Sequence, residues 1–214
     1  MTKIFSKKQL RWTALFVCLL ILATLSLIFT KSSKTTVEIR SAFVFTAAGD
    51  YGANSFTKKI LKNISKEKPS VHLMLGDLSY DQIVPEEKWC AFVKKYLPYV
   101  PIELIAGNHE SDGVNGSIEN FTSCLPNTIA NTQGEYGKEY YFDYPEQNPL
   151  ARFILISPDL HFANGRSFSY TDSSEHMEWL KKSIKEGHEK GIPWTIVGMH
   201  KVCISVGSKS CEVG

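Results

Sequence analysis

The stretch VHLMLGDLSYD, residues 71–81, decides the fold that the sequence predicts. Its first half, Val71–Leu75, is a short apolar run with the composition of a buried β-strand. Gly76 and Asp77 follow at once, so a sharp turn places a carboxylate at the carboxyl end of that strand. Three further apolar runs lead into polar clusters in the same way: Phe43–Ala48 before GDYG (49–52), Ile102–Ala106 before GNHE (107–110), and Trp194–Met199 before His200.

The alternation of strand-like and helix-like segments predicts an α/β fold class. Phe153–Ser157 is a fifth strand-like run, and helical spacing of apolar residues marks Ser55–Glu67, Pro85–Tyr96 and the region near Ser173–Glu189. Such alternation favours a mainly parallel sheet covered by helices. Glu110–Tyr144 shows no sustained helical period, and we expect it to be an elaborated loop that leads to an edge strand.

The composition is that of a folded globular protein, with 43% apolar and 21% charged residues among 214. Disordered and fibrous classes are therefore excluded. The 24 Lys and Arg residues nearly balance the 22 Asp and Glu residues, which leaves a net charge of +2. Because nucleic-acid binding calls for a concentrated basic face, we expect no nucleic-acid partner.

The amino-terminal segment predicts a membrane anchor. Residues 12–30 carry no charge and lie between Arg11 and Lys31, and as a helix they would span about 28 Å, close to the thickness of a bilayer core. The basic residues before this run place the amino terminus in the cytoplasm and the domain outside it, in an extracellular, luminal or periplasmic space. The alternative is a cleaved secretory signal, which would release the protein. The predicted organisation is a basic cytoplasmic segment (1–11), a signal anchor (12–30), a linker (31–41) and a folded domain (42–214).

Four cysteines lie outside the apolar run: Cys90, Cys124, Cys203 and Cys211. In an oxidising compartment this even number allows two bridges. Cys203 and Cys211 flank a short polar segment, so a disulfide between them is the simplest pairing, and four free thiols are the alternative. Three Asn-x-Ser/Thr triplets would be glycan acceptors in a eukaryotic secretory pathway, at Asn63, Asn115 and Asn120.

The polar side chains that follow the strands are expected to converge. The carboxyl ends of parallel strands share one edge of a sheet, where ligands bind. The set combines carboxylates, a phenol, an amide and imidazoles: Asp50, Asp77, Tyr80, Asn108, His109 and His200. Hard oxygen donors mixed with imidazole suit Fe, Zn or Mn, and the lack of thiolates argues against a structural zinc or iron–sulfur site.

GDYG, GDLSYD, GNHE and VGMH, in that order and each at the end of a strand, resemble the motifs of the calcineurin-like metallophosphoesterases. The tyrosine of GDLSYD is similar to that of the purple acid phosphatase branch. The resemblance implies a β-sandwich flanked by helices (α/β/β/α), a dinuclear metal site and acid phosphatase-like hydrolysis of a phosphate monoester. The alternatives are a phosphodiesterase of the same superfamily and a non-catalytic surface domain that binds a partner on the same scaffold.

The resemblance also implies a role for each site residue. The assignments are Asp50 and Tyr80 on a first ion, Fe(III); Asn108 and His200 on a second, divalent ion (Fe, Zn or Mn); and Asp77 as a bridge between them. His109 would not be a ligand, but would contact the phosphate and protonate the leaving group. A phenol with a pKa of about 10 gives up its proton near neutral pH only to a strong Lewis acid, which independently favours a trivalent ion beside Tyr80.

One part of the family pattern is missing from this sequence. The family closes its site with a later GHxH segment, and no such segment follows His200. The two explanations are a chain truncated at its carboxyl end, which we favour, and the loss of one metal half-site. For a truncated chain, we expect the second sheet to be largely absent and one face of the first sheet to be exposed.

The remaining histidines have other predicted places. His72 lies within a strand and is expected to pack in the core, whereas His176 and His188 lie on a helix and are expected to be solvated. Asp159 and His161 follow the fourth strand-like run, where loop residues often line a cleft, and are predicted to contact the substrate.

Overall fold

The structure is a computed structural model that describes residues 42–201. Its elements in chain order are β1 (Phe45–Ala48), α1 (Ser55–Glu67), β2 (Val71–Leu75), α2 (Glu86–Tyr96), β3 (Ile102–Ile105), α3 (Asn108–Ser111), α4 (Ile118–Cys124), β4 (Gln133–Glu135), β5 (Glu139–Tyr144), β6 (Ala151–Ile156), α5 (Glu175–Glu189) and β7 (Trp194–Met199). The predicted cytoplasmic segment, signal anchor and linker lie outside the described residues. Within residues 42–201, no helix combines the length and apolar character needed to cross a membrane.

The first sheet contains β1, β2 and β3 in that order, and all three run parallel. Thr46 pairs with His72, and Leu73 pairs with Glu103. α1 connects β1 to β2 and α2 connects β2 to β3, because parallel neighbours need a crossover connection. Every residue of β3 is buried, as expected for a sheet that is covered on both faces.

A second sheet contains four strands in the order β4-β5-β6-β7. β5 is antiparallel to both β4 and β6, and β7 runs parallel to β6. The strands predicted at 153–157 and 194–199 belong to this sheet, so the prediction of one mainly parallel sheet is wrong. Hydrophobic periodicity is a local property, and a buried strand shows the same pattern in either sheet.

The two sheets pack face to face and enclose an apolar core. Val71 and Leu73 of β2 face Phe142 of β5 and Phe153 of β6, whose ring centroids lie 5.1 Å apart. Met74 points to the opposite face of β2 and packs with the core beneath the helices, as strand alternation requires. The second sheet thus covers the face that was expected to be exposed, and the prediction that this sheet is largely absent is wrong.

α5 covers the outer face of the second sheet. Arg152 of β6 is buried there, and its guanidinium donates to both carboxylate oxygens of Asp143, at 2.7 and 2.8 Å, and to the carbonyl of Ser183 on α5, at 2.7 Å. A Cβ at Gly187 would lie 3.2 Å from Arg152 Cδ, so glycine lets α5 approach this side chain closely. The two sheets between layers of helices match the α/β/β/α arrangement that the family resemblance implies.

The segment 110–144 is more ordered than the predicted loop. α4 begins after Ser117, whose hydroxyl accepts from Glu119 N at 3.2 Å, and it buries Ile118 and Phe121. Two buried residues over seven are too few to produce a recognisable helical period, which explains why the helix was missed. The aromatic run at 140–142 also lies in β5, an inner strand of its sheet, whereas β4 is the edge.

A disulfide joins Cys90 of α2 to Cys124 of α4. The sequence left this pairing open, because cysteine spacing does not reveal connectivity. Cys203 and Cys211 lie outside the described residues, and their pairing stays a prediction.

The histidines outside the polar clusters divide between core and surface. His72 is buried with its Nε2 2.7 Å from Tyr51 OH, and burial lowers its pKa to about 4, so the prediction of a packed histidine is confirmed. His188 is exposed as predicted. His176 is half-buried, with Nδ1 3.0 Å from Glu139 Oε1 of β5, and the prediction of a solvated side chain is wrong. Glu139 is remote from His176 in sequence, so the helical pattern around His176 could not predict this contact.

Glu103 is a buried carboxyl group that takes no part in the polar clusters. It lies on the same face of β3 as Ile105, inside the sandwich, and neither of its side-chain oxygens has a hydrogen-bond partner within residues 42–201. Burial raises the pKa of Glu103 to about 8. The folded protein therefore holds this group protonated at neutral pH.

We expect Glu103→Gln to become progressively more favourable to stability as the pH rises. In the unfolded chain the carboxyl ionises near pH 4.5, so the parent protein loses stability between that pH and about pH 8, whereas the amide does not titrate. The variant's advantage over the parent should grow by roughly 3–5 kcal/mol between pH 5 and pH 8. Chemical denaturation at both pH values measures it. The exposed Glu67→Gln is the matched control, and equal pH dependence in parent and Glu103→Gln would contradict the expectation.

Candidate metal centre

Polar residues from four strand ends meet at one edge of the sandwich. Asp50 lies two residues beyond β1, Asp77 two residues beyond β2, and His109 in α3 shortly after β3. His200 directly follows β7 of the second sheet, and its Nδ1 lies 2.9 Å from the carbonyl oxygen of Leu75 at the end of β2. The structure therefore brings these residues together across two sheets rather than along one.

The turns after β1 and β2 present their side chains from left-handed backbone. Asp50, Asp77 and Tyr80 have φ values of 56°, 53° and 51°. Such conformations cost non-glycine residues about 1–3 kcal/mol each, and they persist only where the surrounding structure enforces them. Here the turns are bonded to each other, since Asp50 N donates to Gly76 O at 3.1 Å and Tyr51 N donates to Asp77 O at 2.8 Å. Strain of this kind, gathered in two adjacent turns, is typical of a functional site.

The turn after β3 lies against Asp77 with no room for a side chain. A Cβ at Gly107 would lie 2.1 Å from Asp77 Oδ1 and 2.3 Å from Asp77 N. Gly76, with φ 83°, meets the same turn, and a Cβ there would lie 2.5 Å from Gly107 N. These two glycines let the second and third turns interlock, and any larger residue would push the carboxylate of Asp77 away.

Glu110 ties the same two turns together from inside the protein. Its buried carboxylate accepts from Asp77 N at 3.1 Å, from Gly107 N at 3.0 Å and from Leu78 N. Burial raises the pKa of Glu110 to about 6, and these amide bonds hold it from rising further. No separate role was predicted for Glu110 within the motif GNHE. Its buried acidic character would have been the only signal, and burial is not visible before the fold is known.

Three side chains form a cluster with the geometry of a cation site. Ligand atoms of Asp50, Asp77 and His200 all lie within 4.8 Å of one another. The hydroxyl of Tyr80 lies 2.9 Å from Asp50 Oδ1 and 2.9 Å from Asp77 Oδ2. Burial raises the pKa of Tyr80 above its usual value, and hydrogen bonds to the two carboxylates raise it further. The phenol therefore stays protonated as long as no cation replaces that proton.

The two carboxylate oxygens of Asp77 face different neighbours. Oδ1 lies 3.3 Å from His200 Nε2 and accepts from the backbone N of His109 at 3.2 Å. Oδ2 lies against the hydroxyl of Tyr80 and 3.7 Å from His109 Nε2. Asp77 is buried, so both oxygens are held in these directions.

His200 is oriented by the backbone of the neighbouring sheet. Because a carbonyl oxygen only accepts, the contact with Leu75 O requires that His200 Nδ1 carry the hydrogen. His200 Nε2 then presents its lone pair to the cluster. A second hydrogen bond of this kind is the usual way in which a metal-binding histidine is held in one tautomer.

His109 lies at the mouth of the cluster, half-exposed, with its ring centroid 4.4 Å from that of Tyr80. Its Nδ1 is hydrogen-bonded to Asn115 Oδ1, and Asn115 Nδ2 donates to Asp81 Oδ2 at 2.9 Å. Neither Asn115 nor Asp81 was predicted as a site residue. Asn115 was predicted only as a possible glycan acceptor. Its contact with His109 depends on the conformation of the loop, which the sequence does not reveal.

The other three predicted site residues are exposed. Asn108 lies at the amino end of α3, directly between Gly107 and His109, and its role as a metal ligand stays a prediction. Asp159 accepts from Lys201 Nζ at 3.0 Å, and His161 pairs with Ser167 in an isolated β-bridge. Neither contact includes a member of the cluster, and the role of Asp159 and His161 in substrate binding stays a prediction.

Comparison with known proteins finds relatives among the purple acid phosphatases. Purple acid phosphatase 18 of Arabidopsis thaliana is 26% identical over 162 residues, which cover 73% of this chain and 34% of that relative. Fe(3+)-Zn(2+) purple acid phosphatase 12 of the same plant is 27% identical over 168 residues, covering 74% of this chain and 34% of the relative. This chain spans about a third of the length of the curated relatives it matches. The family model described as calcineurin-like phosphoesterase matches residues 44–211, most of the chain, and this protein therefore belongs to the calcineurin-like phosphoesterase family.

Proposed function

We propose that this protein hydrolyses phosphate monoesters at a metal centre built on Asp50, Asp77 and His200. The observation that carries the proposal is the convergence of ligand atoms of these three residues within 4.8 Å, with Asp50 and Asp77 held on left-handed backbone. Membership of the phosphoesterase family supports the reaction type. The similarity to purple acid phosphatases supports the choice of a monoester.

The donor set fits a trivalent and a divalent cation side by side. Asp50 and Tyr80 would hold Fe(III), since a phenolate is a ligand that only a strong Lewis acid readily creates near neutral pH. His200 and Asn108 would hold the divalent ion, which is Fe, Zn or Mn. Asp77 would bridge the two, and the opposite directions of its two oxygens support that role. When bound, such ions polarise the phosphate and lower the pKa of coordinated water.

His109 is the group best placed to give a proton to the departing oxygen. Its Nε2 lies 3.7 Å from Asp77 Oδ2, so the ring stands at the edge of the cluster without being a member of the ligand set. It is half-exposed and can reach both the substrate and solvent. Proton donation of this kind contributes about 10²–10⁴-fold to a rate.

We also propose that the domain lies outside the cytoplasm. The disulfide between Cys90 and Cys124 supports this location, because such bonds persist in oxidising compartments and are rare in reducing ones. Attachment to a membrane through residues 12–30, and the alternative of release after cleavage, both remain predictions.

Two variants should separate metal binding from proton transfer. Asp77→Ala removes the proposed bridge and should abolish both bound metal and turnover of p-nitrophenyl phosphate, whereas His109→Ala should keep its metal and lose about 10²–10⁴-fold in turnover. Elemental analysis and steady-state kinetics measure the two quantities, and the exposed Glu87→Ala is the control. Metal retained without turnover in the parent protein would favour the non-catalytic binding domain. Equal metal loss in both variants would contradict the separate roles.

Tyr80→Phe tests the phenolate ligand without disturbing the packing of the ring. The iron-loaded parent should absorb visible light through charge transfer between phenolate and Fe(III), and this variant should lose that band. Tyr51→Phe is the matched control, because the Tyr51 hydroxyl is buried against His72 and faces away from the ligand set. An unchanged spectrum in Tyr80→Phe would refute the assignment, whatever the activity of the variant.

A further inference from the structure

Asn115, in the loop between α3 and α4, contacts His109 through both its backbone and its side chain. Its backbone N donates to the carbonyl oxygen of His109 at 3.0 Å. Its side-chain Oδ1 is hydrogen-bonded to His109 Nδ1, and its Nδ2 donates to Asp81 Oδ2 at 2.9 Å. Asp81 belongs to the turn after β2, so Asn115 joins the imidazole to a second part of the site.

These contacts fix which nitrogen of His109 carries the hydrogen. A carboxylate only accepts hydrogen bonds, so the contact with Asp81 must be made by the amide nitrogen of Asn115. The amide oxygen then faces His109 Nδ1, which must donate. Nε2, the nitrogen nearest to Asp77, is consequently the one left open toward the site.

We propose that Asn115 is a positioning residue that holds His109 in one ring orientation and one tautomer. The proposal rests on the proposed function, in which His109 delivers a proton through Nε2. As the donor, His109 carries a hydrogen on both ring nitrogens, gives up the one on Nε2 and is left neutral with its hydrogen on Nδ1, which Asn115 Oδ1 accepts. Without Asn115, the ring could rotate about its Cβ–Cγ bond, or the neutral ring could keep its hydrogen on Nε2 and leave Nδ1 as the nitrogen that regains a proton. The imidazole is held on its other side by the ring of Tyr80, with 4.4 Å between the ring centroids.

The loop is built so that Asn115 keeps its place. Gly113 and Gly116 on either side have φ values of 80° and 102°, which other residues rarely adopt. The next residue, Ser117, donates through its backbone N to Glu86 Oε1 of α2 at 3.0 Å. A Cβ at Gly116 would lie 3.0 Å from the Phe121 ring, so the loop is packed against α4 as well. The amide of Asn115 is therefore presented by an anchored loop.

The same contacts change the interpretation of the triplet Asn115-Gly116-Ser117. A sugar on Asn115 Nδ2 would occupy the space beside Asp81 and His109. Asn63 and Asn120 instead lie on exposed helical surface, where an added sugar meets no part of the site. We expect the Asn115 triplet to stay unmodified in active protein.

The first test exchanges the amide of Asn115 and the carboxylate of Asp81 between the two positions. Asn115→Asp alone sets two carboxylates against each other and should lower kcat roughly 10–100-fold, with KM and metal content little changed. Asp81→Asn combined with Asn115→Asp restores a donor facing an acceptor, while an acceptor still faces His109 Nδ1, and should recover most of the loss. Failure of this pair to recover kcat would overturn the proposal, and so would a pair that recovers the stability of the fold but not kcat, since the contact between residues 115 and 81 would then serve the loop alone.

A spectroscopic measurement tests the same proposal without turnover. In the full chain labelled with 15N-histidine, before iron is added, His109 should be protonated at Nδ1 when neutral, and Asn115→Ala should produce a mixture of tautomers. His109→Gln identifies the His109 signals, and Asn63→Ala, on the exposed surface of α1, is the matched control, expected to leave them unchanged. A parent tautomer protonated at Nε2, or an unchanged spectrum in Asn115→Ala, would overturn the proposal. Correct tautomers in a protein without phosphatase activity would instead refute the proposed function alone.

Discussion

The close approach of the turns after β2 and β3 is the constraint on which the whole site depends. Gly107 stands where any Cβ would overlap Asp77, and the buried carboxylate of Glu110 accepts from backbone amides of both turns. Each feature would be unfavourable alone, since a buried carboxylate must be satisfied and a left-handed aspartate is strained. Together they satisfy each other, because the amides freed by the strained turns are the donors that Glu110 requires. Asp77 is thereby held with Oδ1 near the imidazole of His200 and Oδ2 bonded to the hydroxyl of Tyr80.

Packing between the two sheets places His200, the member of the cluster that does not lie on these turns. His200 belongs to the second sheet, and it reaches Asp77 only because β7 lies beside β2 in the sandwich. Gly198, next to the end of β7, makes this approach possible, since a Cβ there would lie 2.5 Å from Leu155 and 3.1 Å from Leu75. The apolar core between the sheets therefore sets the geometry of the cluster. A change in that core that moved β7 would move His200 relative to Asp50 and Asp77.

Features that depend on neighbouring residues in the sequence could be predicted, and features that depend on contacts between distant residues could not. Five of the strands and the polar residues at the ends of four of them are local patterns, and Val71–Leu75 and Trp194–Met199 were predicted with the bounds that the structure shows. Sheet membership, the short α4 and the disulfide from Cys90 depend on contacts between distant residues, and periodicity carries no information about them. Within the site, ligand types were visible in the motifs. Glu110 and Asn115 were not, because their importance lies in what they touch.

The residues of the site are held in place in two ways: some by the backbone of strained turns, and one by the side chain of another residue. Asp50, Asp77 and Tyr80 sit on strained turns that are bonded to one another, so their relative positions are rigid even before any cation is present. His109 is instead held by a side chain from a separate loop. That loop is anchored through Ser117 to Glu86 of α2, and Asn115 joins it to Asp81 in the turn after β2. The Asn115 side chain bonds to His109 and Asp81 and to none of Asp50, Asp77 and Tyr80 within residues 42–201. Under the proposed function, a change confined to this side chain would therefore act on proton transfer more than on metal affinity.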